Sequence, residues 1–244
     1  MVPVEILAVI ALVGIAALIQ SMTGFGFALL IVPPLVLLLG PREAVVLSNV
    51  IGTVIAAVML LRLHREVQWK TTAVLIGASV FGLPLGLLAL TQLDPDVLQV
   101  FIAITVIVFT VLLMRGFALG SRITLQGSLA AGVIAGVLRT STSMSGPPVV
   151  LYLQGTRMPS GAFRSTMTGF ALLSGLTGVA VFLVEGSLTA RLGLTGLAAT
   201  PAVLAGLYVG ARLYDRVGEA RFRGVVFAVL IASALLAIAG AISP

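Results

Sequence analysis

A chain of 244 residues with 59% hydrophobic and only 9% charged residues has a mean hydropathy of +1.22, whereas about 25% of the residues of an average soluble domain are charged. This composition excludes a soluble globular domain, because helices that are apolar all round need an apolar environment. The 14 basic and 8 acidic residues give a net charge of +6. Cysteine is absent, which excludes disulfides, thiolate metal sites and cysteine nucleophiles.

Ten apolar segments follow one another along the chain, and several contain the roughly 20 residues that a bilayer span requires. We predict these segments at about residues 4–20, 24–39, 43–61, 70–90, 96–114, 124–139, 146–155, 163–183, 191–211 and 221–242. A linker at about residues 115–124 separates five segments from five. The sequence therefore predicts an all-α polytopic membrane protein that forms one membrane domain over residues 1–244.

The sequence is duplicated with an offset of 122 residues, which is half of its length. Residues 14–24 (GIAALIQSMTG) reappear at 136–146 (GVLRTSTSMSG). We therefore expect two repeats, at about residues 1–118 and 123–244. Because each repeat contains an odd number of segments, the two are expected to lie in the membrane with opposite orientations, as in many transporters.

Three pairs of glycines, spaced four residues apart, are expected to bring helices into close contact. Two of the pairs also occupy corresponding positions in the two repeats, at an offset of 124 residues. The pairs are Gly82/Gly86, Gly206/Gly210 and Gly132/Gly136.

The distribution of basic residues predicts the orientation in the membrane. If the N-terminus lies outside, eleven Lys and Arg residues fall in inner loops and three in outer loops, in agreement with the positive-inside rule. We therefore predict that the protein lies in the cytoplasmic membrane and that both of its termini are outside the cell. We expect the first segment to be retained, because Met-Val-Pro-Val-Glu has no basic region and no clear cleavage site follows it.

The second and seventh segments are short, at about 15 and 10 residues, or roughly 22 and 15 Å as helices. Both lengths are smaller than the hydrocarbon core of about 30 Å. We therefore expect segments 1–2 and 6–7 to form incomplete or broken hairpins whose tips lie within the membrane. The alternative is that these tips are surface turns, in which Ser, Gly and Pro are common.

Polar residues at the two predicted tips form the candidate substrate site. The order Ser-Gly-Pro-Pro at 145–148 favours a helix start, and the N–H groups of such a start, together with nearby hydroxyls, suit an anion. The candidate substrate-binding residues are Ser21, Met22, Thr23, Gly24 and Gly26 at the first tip, Arg139, Ser143, Met144, Ser145 and Gly146 at the second, and Asn49 in the third segment.

Two of these residues have alternative interpretations of equal weight. The guanidinium of Arg139 would neutralise a bound anion, or it would extend to the membrane interface from a helix end. Asn49 shares a helix face with Thr53, and these polar groups would serve either the substrate or contacts between helices.

The positions of the acidic residues narrow the classes of function. All eight fall in loops or at segment ends, whereas cation pumps and proton relays usually place a carboxylate inside the membrane. No cluster of residues suits a metal, and no cofactor is expected. An enzyme is disfavoured because the sequence offers no buried His–acid pair, Ser–base pair or metal cluster.

At these residues the chain resembles the TauE/SafE family of sulfite exporters. The stretches that carry the resemblance are Gly24-Phe25-Gly26-Phe27 through Pro33-Pro34, then 44–49, then 136–148. The resemblance implies an integral inner-membrane carrier for sulfite, sulfonates or related organic acids.

We therefore expect a secondary transporter that exports a small sulfur-containing anion by alternating access, with the substrate between the two tips. The alternatives are a passive anion channel and a permease for another small organic acid. The expected partners are the small anion and the lipid bilayer, and nucleic acid is not expected. The oligomeric state stays open, with a homodimer as one alternative.

Overall fold

The computed structural model describes residues 3–23, 26–118, 122–156 and 158–214, together with residues 231 and 235. All regular secondary structure in these ranges is helical. The helices are α1 (Pro3–Thr23), α2 (Phe27–Leu39), α3 (Pro41–Leu63), α4 (Trp69–Gln92), α5 (Pro95–Met114), α6 (Leu125–Thr142), α7 (Gly146–Gln154), α8 (Ser160–Glu185), α9 (Ala190–Ala198) and α10 (Thr200–Tyr214), with a single 3₁₀ turn at His64–Glu66.

Five stretches of the described chain are long and apolar enough to cross a membrane. They are α3 with its 3₁₀ extension, α4, α5, α8, and α9 with α10. Large apolar side chains such as Phe81 and Val184 lie exposed on their outer surfaces, where they would contact lipid. The protein is therefore a membrane protein whose described residues form only helices, as the composition predicts.

Nine of the ten predicted segments correspond to helices in the described residues. The ninth differs in detail, because it is divided at Ala199 into α9 and α10. Pro201 explains the division, since its missing N–H and its ring interrupt a continuous helix. The tenth segment, at 221–242, lies outside the described residues apart from 231 and 235.

Two short helices, α2 and α7, each follow a break in the chain that separates them from the preceding helix. Helix α2 has 13 residues and α7 has 9, or roughly 20 and 14 Å at 1.5 Å per residue. Helix α2 contacts α1 across the first break, and α7 contacts α6 across the second. The lengths agree with the prediction that these two pairs do not each form two complete spans.

Glycines allow the first helix of each sequence half to pack closely on a later helix of the other half. A Cβ atom on Gly136 in α6 would stand 1.9 Å from the carbonyl oxygen of Ser79 in α4, and a Cβ on Gly206 in α10 would stand 2.3 Å from the carbonyl oxygen of Gly14 in α1. Only glycine permits such backbone contact. The prediction of close helix contacts at the glycine pairs is thus confirmed.

Helices α3 and α8 pack against each other beside both breaks. Gly175 of α8 leaves room for Thr53 of α3, whose Oγ1 would stand 2.3 Å from an added Cβ, and Gly178 leaves room for Asn49. Of the five candidate spans, α3 has the largest buried share. Its polar face is therefore turned toward protein and not toward lipid.

Contacts between helix ends show which ends lie on the same side of the molecule. The backbone N–H of Gln68, before α4, donates to Oγ1 of Thr166 near the start of α8 at 3.1 Å. The Tyr152 hydroxyl, near the end of α7, donates to the carbonyl of Thr124 before α6 at 2.9 Å. The first contact places the starts of α4 and α8 on the same side of the molecule. The second places the start of α6 and the end of α7 on one side, so these two helices form a hairpin.

Candidate functional site

One small cavity lies between the two breaks and brings them together. Its volume is about 70 Å³, enough for a few water molecules or one small ion and far below the 300–1,000 Å³ typical of pockets for drug-sized molecules. The described residues that line it are Gln20, Gly26, Phe27, Ala28, Leu29, Ser48, Gly52, Arg139, Ser143, Met144, Ser145, Gly146, Pro147, Met167 and Ala171.

Both breaks lie within the length of the long helices and not at their ends. Phe27, which starts α2, contacts Gly52 at the midpoint of α3, where an added Cβ would stand 3.6 Å from the ring. Ser174, which contacts the second break, lies 14 residues or about 21 Å along α8. The cavity is therefore near mid-depth in the helical bundle.

The first break separates α1 from α2. Gly26 has a φ of 95°, a left-handed conformation that glycine adopts without strain. The side-chain oxygen of Gln20 accepts the N–H of Phe27 at 2.7 Å, which satisfies one of the first donors of α2. Gln20 lines the cavity, although the sequence analysis did not select it; a buried amide in an apolar segment was the available signal.

The predicted residues of the first tip are placed unequally. Ser21 is still inside α1, and its hydroxyl donates to the carbonyl of Leu18 at 2.8 Å, so it is not among the residues that line the cavity. Gly26 does line it. Met22 and Thr23 belong to the last turn of α1, but their side chains, and all of Gly24, lie outside the described residues.

The second break begins at Ser143, which has a φ of 63°. The N–H of Met144 donates to the carbonyl of Leu138, and that of Ser143 donates to the carbonyl of Arg139, both at 3.1 Å. The bond from Ser143 to Arg139 is the 5→1 bond of an αL helix cap, whose left-handed position is usually glycine because a side chain there costs roughly 1–2 kcal/mol.

Serine at this position places a hydroxyl at the cavity wall. The side chain of Ser143 is 3% exposed, and its Oγ has no hydrogen-bond partner within the described residues. A strained and unpartnered buried hydroxyl is costly, and such backbone outliers concentrate at functional sites. The Oγ of Ser143 is therefore available to a ligand.

Arg139 lies one turn before the break and is held by two serines. Its Nη2 donates to Oγ of Ser145 and, at 2.5 Å, to Oγ of Ser174 in α8. The two hydroxyls are also 3.1 Å from each other. At 6% exposure, Arg139 does not extend to the membrane interface. Ser174 was not predicted; its position within an apolar segment was the signal.

Asn49 lies beside Arg139 but does not line the cavity. Both approach Gly178 of α8, where an added Cβ would stand 2.4 Å from Nδ2 of Asn49 and 3.1 Å from Cδ of Arg139. Neither amide atom of Asn49, nor Nε of Arg139, has a partner in the described part of the chain. Three buried polar atoms without a hydrogen-bond partner in the described residues therefore lie in or next to the guanidinium.

The cavity has a positive electrostatic character. Arg139 is the only charged side chain, and neither Asp nor Glu occurs, among the described residues that line it. The start of α7 offers fewer backbone N–H donors to an anion than predicted, because two of its first three residues are Pro147 and Pro148, which have no N–H. At α2, the first-turn N–H groups of Ala28 and Leu29 lack partners within the helix.

The described residues offer no comparable set of ligands for a metal ion. Within the described residues, no three side chains of His, Cys, Asp or Glu form a group that could hold a metal ion. Hydroxyls, backbone N–H groups and one guanidinium dominate the polar lining, and these are the groups that bind small oxyanions.

The profile of the family described as sulfite exporter TauE/SafE matches residues 9–237, which include both breaks and the cavity. Neither a curated protein nor a solved structure matches the chain at the threshold applied.

Proposed function

The chain belongs to the sulfite exporter TauE/SafE family, and from this premise we propose that it is a secondary transporter that exports sulfite or an organosulfonate. The observation that carries the proposal is the cavity between the two breaks, where the buried Arg139 has no acidic partner among the described lining residues. A buried cation without a counter-charge is unfavourable, and a bound anion would supply the missing charge.

The proposed binding groups surround one small volume. The guanidinium of Arg139 supplies charge, and the hydroxyls of Ser143 and Ser145 add hydrogen bonds. The volume of about 70 Å³ favours an ion of a few heavy atoms. Met144, Gly146 and Gly26 form part of the cavity wall. Ser21 and Asn49 would act without contact to the anion, Ser21 from the last turn of α1 and Asn49 from its position beside Arg139.

We further propose that the two sequence halves are inverted repeats that rock against each other. The pairing of α6 with α4 and of α1 with α10 supports the repeat, because the sequence duplication relates α1 to α6 and α4 to α10. Each half would thus contribute one break to the site and hold the break of the other half. Such an arrangement suits alternating access around a fixed site.

The proposed location is the cytoplasmic membrane, with both termini outside. The bias of basic residues toward one set of loops supports this orientation. A single cysteine introduced at His64, in the 3₁₀ turn after α3, should react with an impermeant thiol reagent only from the cytoplasmic side. Reaction from the outside would contradict the orientation.

Counter-flow in liposomes tests the transport function. Vesicles that contain the purified protein and unlabelled sulfite are diluted into labelled sulfite, and uptake of label is measured as a function of concentration. We expect saturable exchange. The double variant Ser143→Ala/Ser145→Ala should bind sulfite more weakly and raise the half-saturating sulfite concentration at least about tenfold. Each lost hydrogen bond to a charged group is worth roughly 1.5–3 kcal/mol.

Ser141→Ala is the matched control, because the Ser141 hydroxyl donates to the carbonyl of Val137 within α6 at 2.8 Å and does not line the cavity. Its exchange should equal that of the unmodified protein. Flux that rises without saturation would indicate a passive anion channel instead. Absence of movement for sulfite, sulfonate and carboxylate alike would overturn the proposal.

A further inference from the structure

We propose that the site accepts a singly charged oxyanion and rejects dianions, so that sulfite is carried as hydrogen sulfite. This inference rests on the proposed function and deepens it by naming the charge state of the substrate. It is carried by the charges that surround the cavity and by one hydroxyl whose hydrogen-bonding capacity is unused.

The charge at the cavity wall matches one negative charge. Arg139 is the single charged side chain among the described residues that line it, and it is 6% exposed. A monoanion beside Arg139 leaves the buried site neutral. A dianion would leave a net negative charge in a low-dielectric environment, which is strongly unfavourable without a second partner.

The helix ends at the cavity add little to this balance. At each break, the C-terminal end of one helix meets the N-terminal end of the next, and these ends carry partial charges of opposite sign and similar size. The ends of α1 and α6 therefore offset the starts of α2 and α7. The partial positive charge of a helix start does not supply a second full charge.

A second arginine lies near the first break but is directed elsewhere. Nη2 of Arg164 in α8 donates to the backbone carbonyl of Ser21 at 2.5 Å, in the last turn of α1. A cation in this position offsets the negative end of α1. Arg164 does not line the cavity, so its charge is assigned to the helix end.

No other described charged group on the helices around α6 lines the cavity. Helices α3, α4, α7 and α8 contact α6, and none of the described charged residues on them lines the cavity. Those on α3, α4 and α8 are Arg42, Glu43, Arg62, Lys70, Arg164 and Glu185. Helix α7 has no charged residue.

The Ser143 hydroxyl suits an oxyanion that still carries a proton. The Arg139 guanidinium, which carries the charge at the cavity wall, can only donate hydrogen bonds. A hydroxyl can also accept one, and Oγ of Ser143 has no partner within the described residues. It can therefore accept the O–H of a protonated oxyanion while the remaining oxygens face donors.

Titration calorimetry on the full chain in nanodiscs tests the inference. Sulfite, methanesulfonate and sulfate are titrated at constant ionic strength, at one pH below and one pH above the second ionisation of sulfurous acid. Each titration is repeated in two buffers of different ionisation enthalpy, so that protons taken up on binding are counted. Methanesulfonate is a monoanion at both pH values, and sulfate is a dianion at both.

We expect the dissociation constant of sulfite to increase about tenfold per pH unit above that ionisation, by mass action, with uptake of about one proton per ion bound. Methanesulfonate should bind with the same affinity at both pH values and without proton uptake. Sulfate should bind at least about 100-fold more weakly than methanesulfonate.

The outcomes separate the two proposals. A sulfite affinity independent of pH, or sulfate binding as tight as that of methanesulfonate, would overturn selection of a monoanion and leave the transport function standing. Proton uptake with methanesulfonate would assign the proton to the protein and likewise overturn it. Absence of binding for both sulfite and methanesulfonate would remove the proposed function, and this inference with it.

Discussion

Arg139 shows how a residue can be costly for the fold and useful for binding. It is a buried cation whose hydrogen-bond partners among the described residues are two serine hydroxyls, and its Nε has no partner there. Buried ion pairs are seldom favourable, and an unpaired buried charge is less so. A residue of this kind is best explained by a ligand that completes the charge balance.

Replacement of Arg139 by methionine should therefore separate stability from binding. The variant Arg139→Met keeps an unbranched apolar stem and removes the guanidinium with its charge. Ser145 and Ser174 remain satisfied because their hydroxyls lie 3.1 Å apart. We expect an unfolding temperature in detergent that is unchanged or higher, since such replacements are often neutral or stabilising. Affinity for methanesulfonate should fall at least about 100-fold, or about 2.8 kcal/mol.

A conservative variant serves as the control for charge. Arg139→Lys keeps the positive charge but lacks the planar guanidinium. Its affinity for methanesulfonate should therefore lie between the affinities of the unmodified protein and of Arg139→Met. A marked loss of stability in Arg139→Met, with binding retained, would show that the arginine is structural.

At the scale of elements, backbone contacts between helices depend on glycine. Gly82, Gly86 and Gly136 bring α4 and α6 so close that a Cβ on any of them would lie within 2.2 Å of a backbone oxygen. Without a hydrophobic force between helices in lipid, such close packing is a main source of association. This contact also positions the end of α6, and therefore Arg139 and Ser143.

The variant Gly136→Ala should destabilise the protein by about 1–3 kcal/mol or more, because the added methyl group meets the backbone of Ser79 and overpacking has costs of this size. Gly77→Ala in α4 is the matched control, since nothing lies within 4 Å of its Cβ position. That variant should be neutral or stabilising by up to about 1 kcal/mol. Equal unfolding midpoints in mixed detergent for the two variants would contradict the contact.

At the scale of the whole molecule, contacts near the start of α8 join the two sequence halves. Glu66, in the first half, packs against Gly161 at the start of α8, and the backbone N–H of Gln68 donates to Thr166. Arg164 of α8 binds the carbonyl of Ser21 in α1. If the halves rock against each other, these contacts must open during the transport cycle.

Cross-linking tests this requirement without interference, because the chain has no native cysteine. In the variant Glu66→Cys/Gly161→Cys, a short cleavable bifunctional reagent should abolish sulfite counter-flow, and cleavage of the reagent should restore it. The pair Arg42→Cys/Thr91→Cys, whose native residues share a hydrogen bond of 2.8 Å within the first half, should be cross-linked without loss of exchange. Exchange that persists in the first cross-linked variant would contradict rocking of the halves.

The membrane class, the nine helical segments found in the described residues and the two breaks follow from sequence alone, because apolar length, glycine and proline act locally along the chain. The duplication likewise pointed to Ser143, Ser145 and Arg139. Local signals could not reveal that Ser21 lies inside α1 or that Arg139 is buried instead of extending to the interface. Gln20 and Ser174 are visible in the sequence as polar residues in apolar segments, but the sequence does not show that both lie beside the two breaks. These features depend on which helices meet, and glycine contacts between residues far apart in the chain decide that.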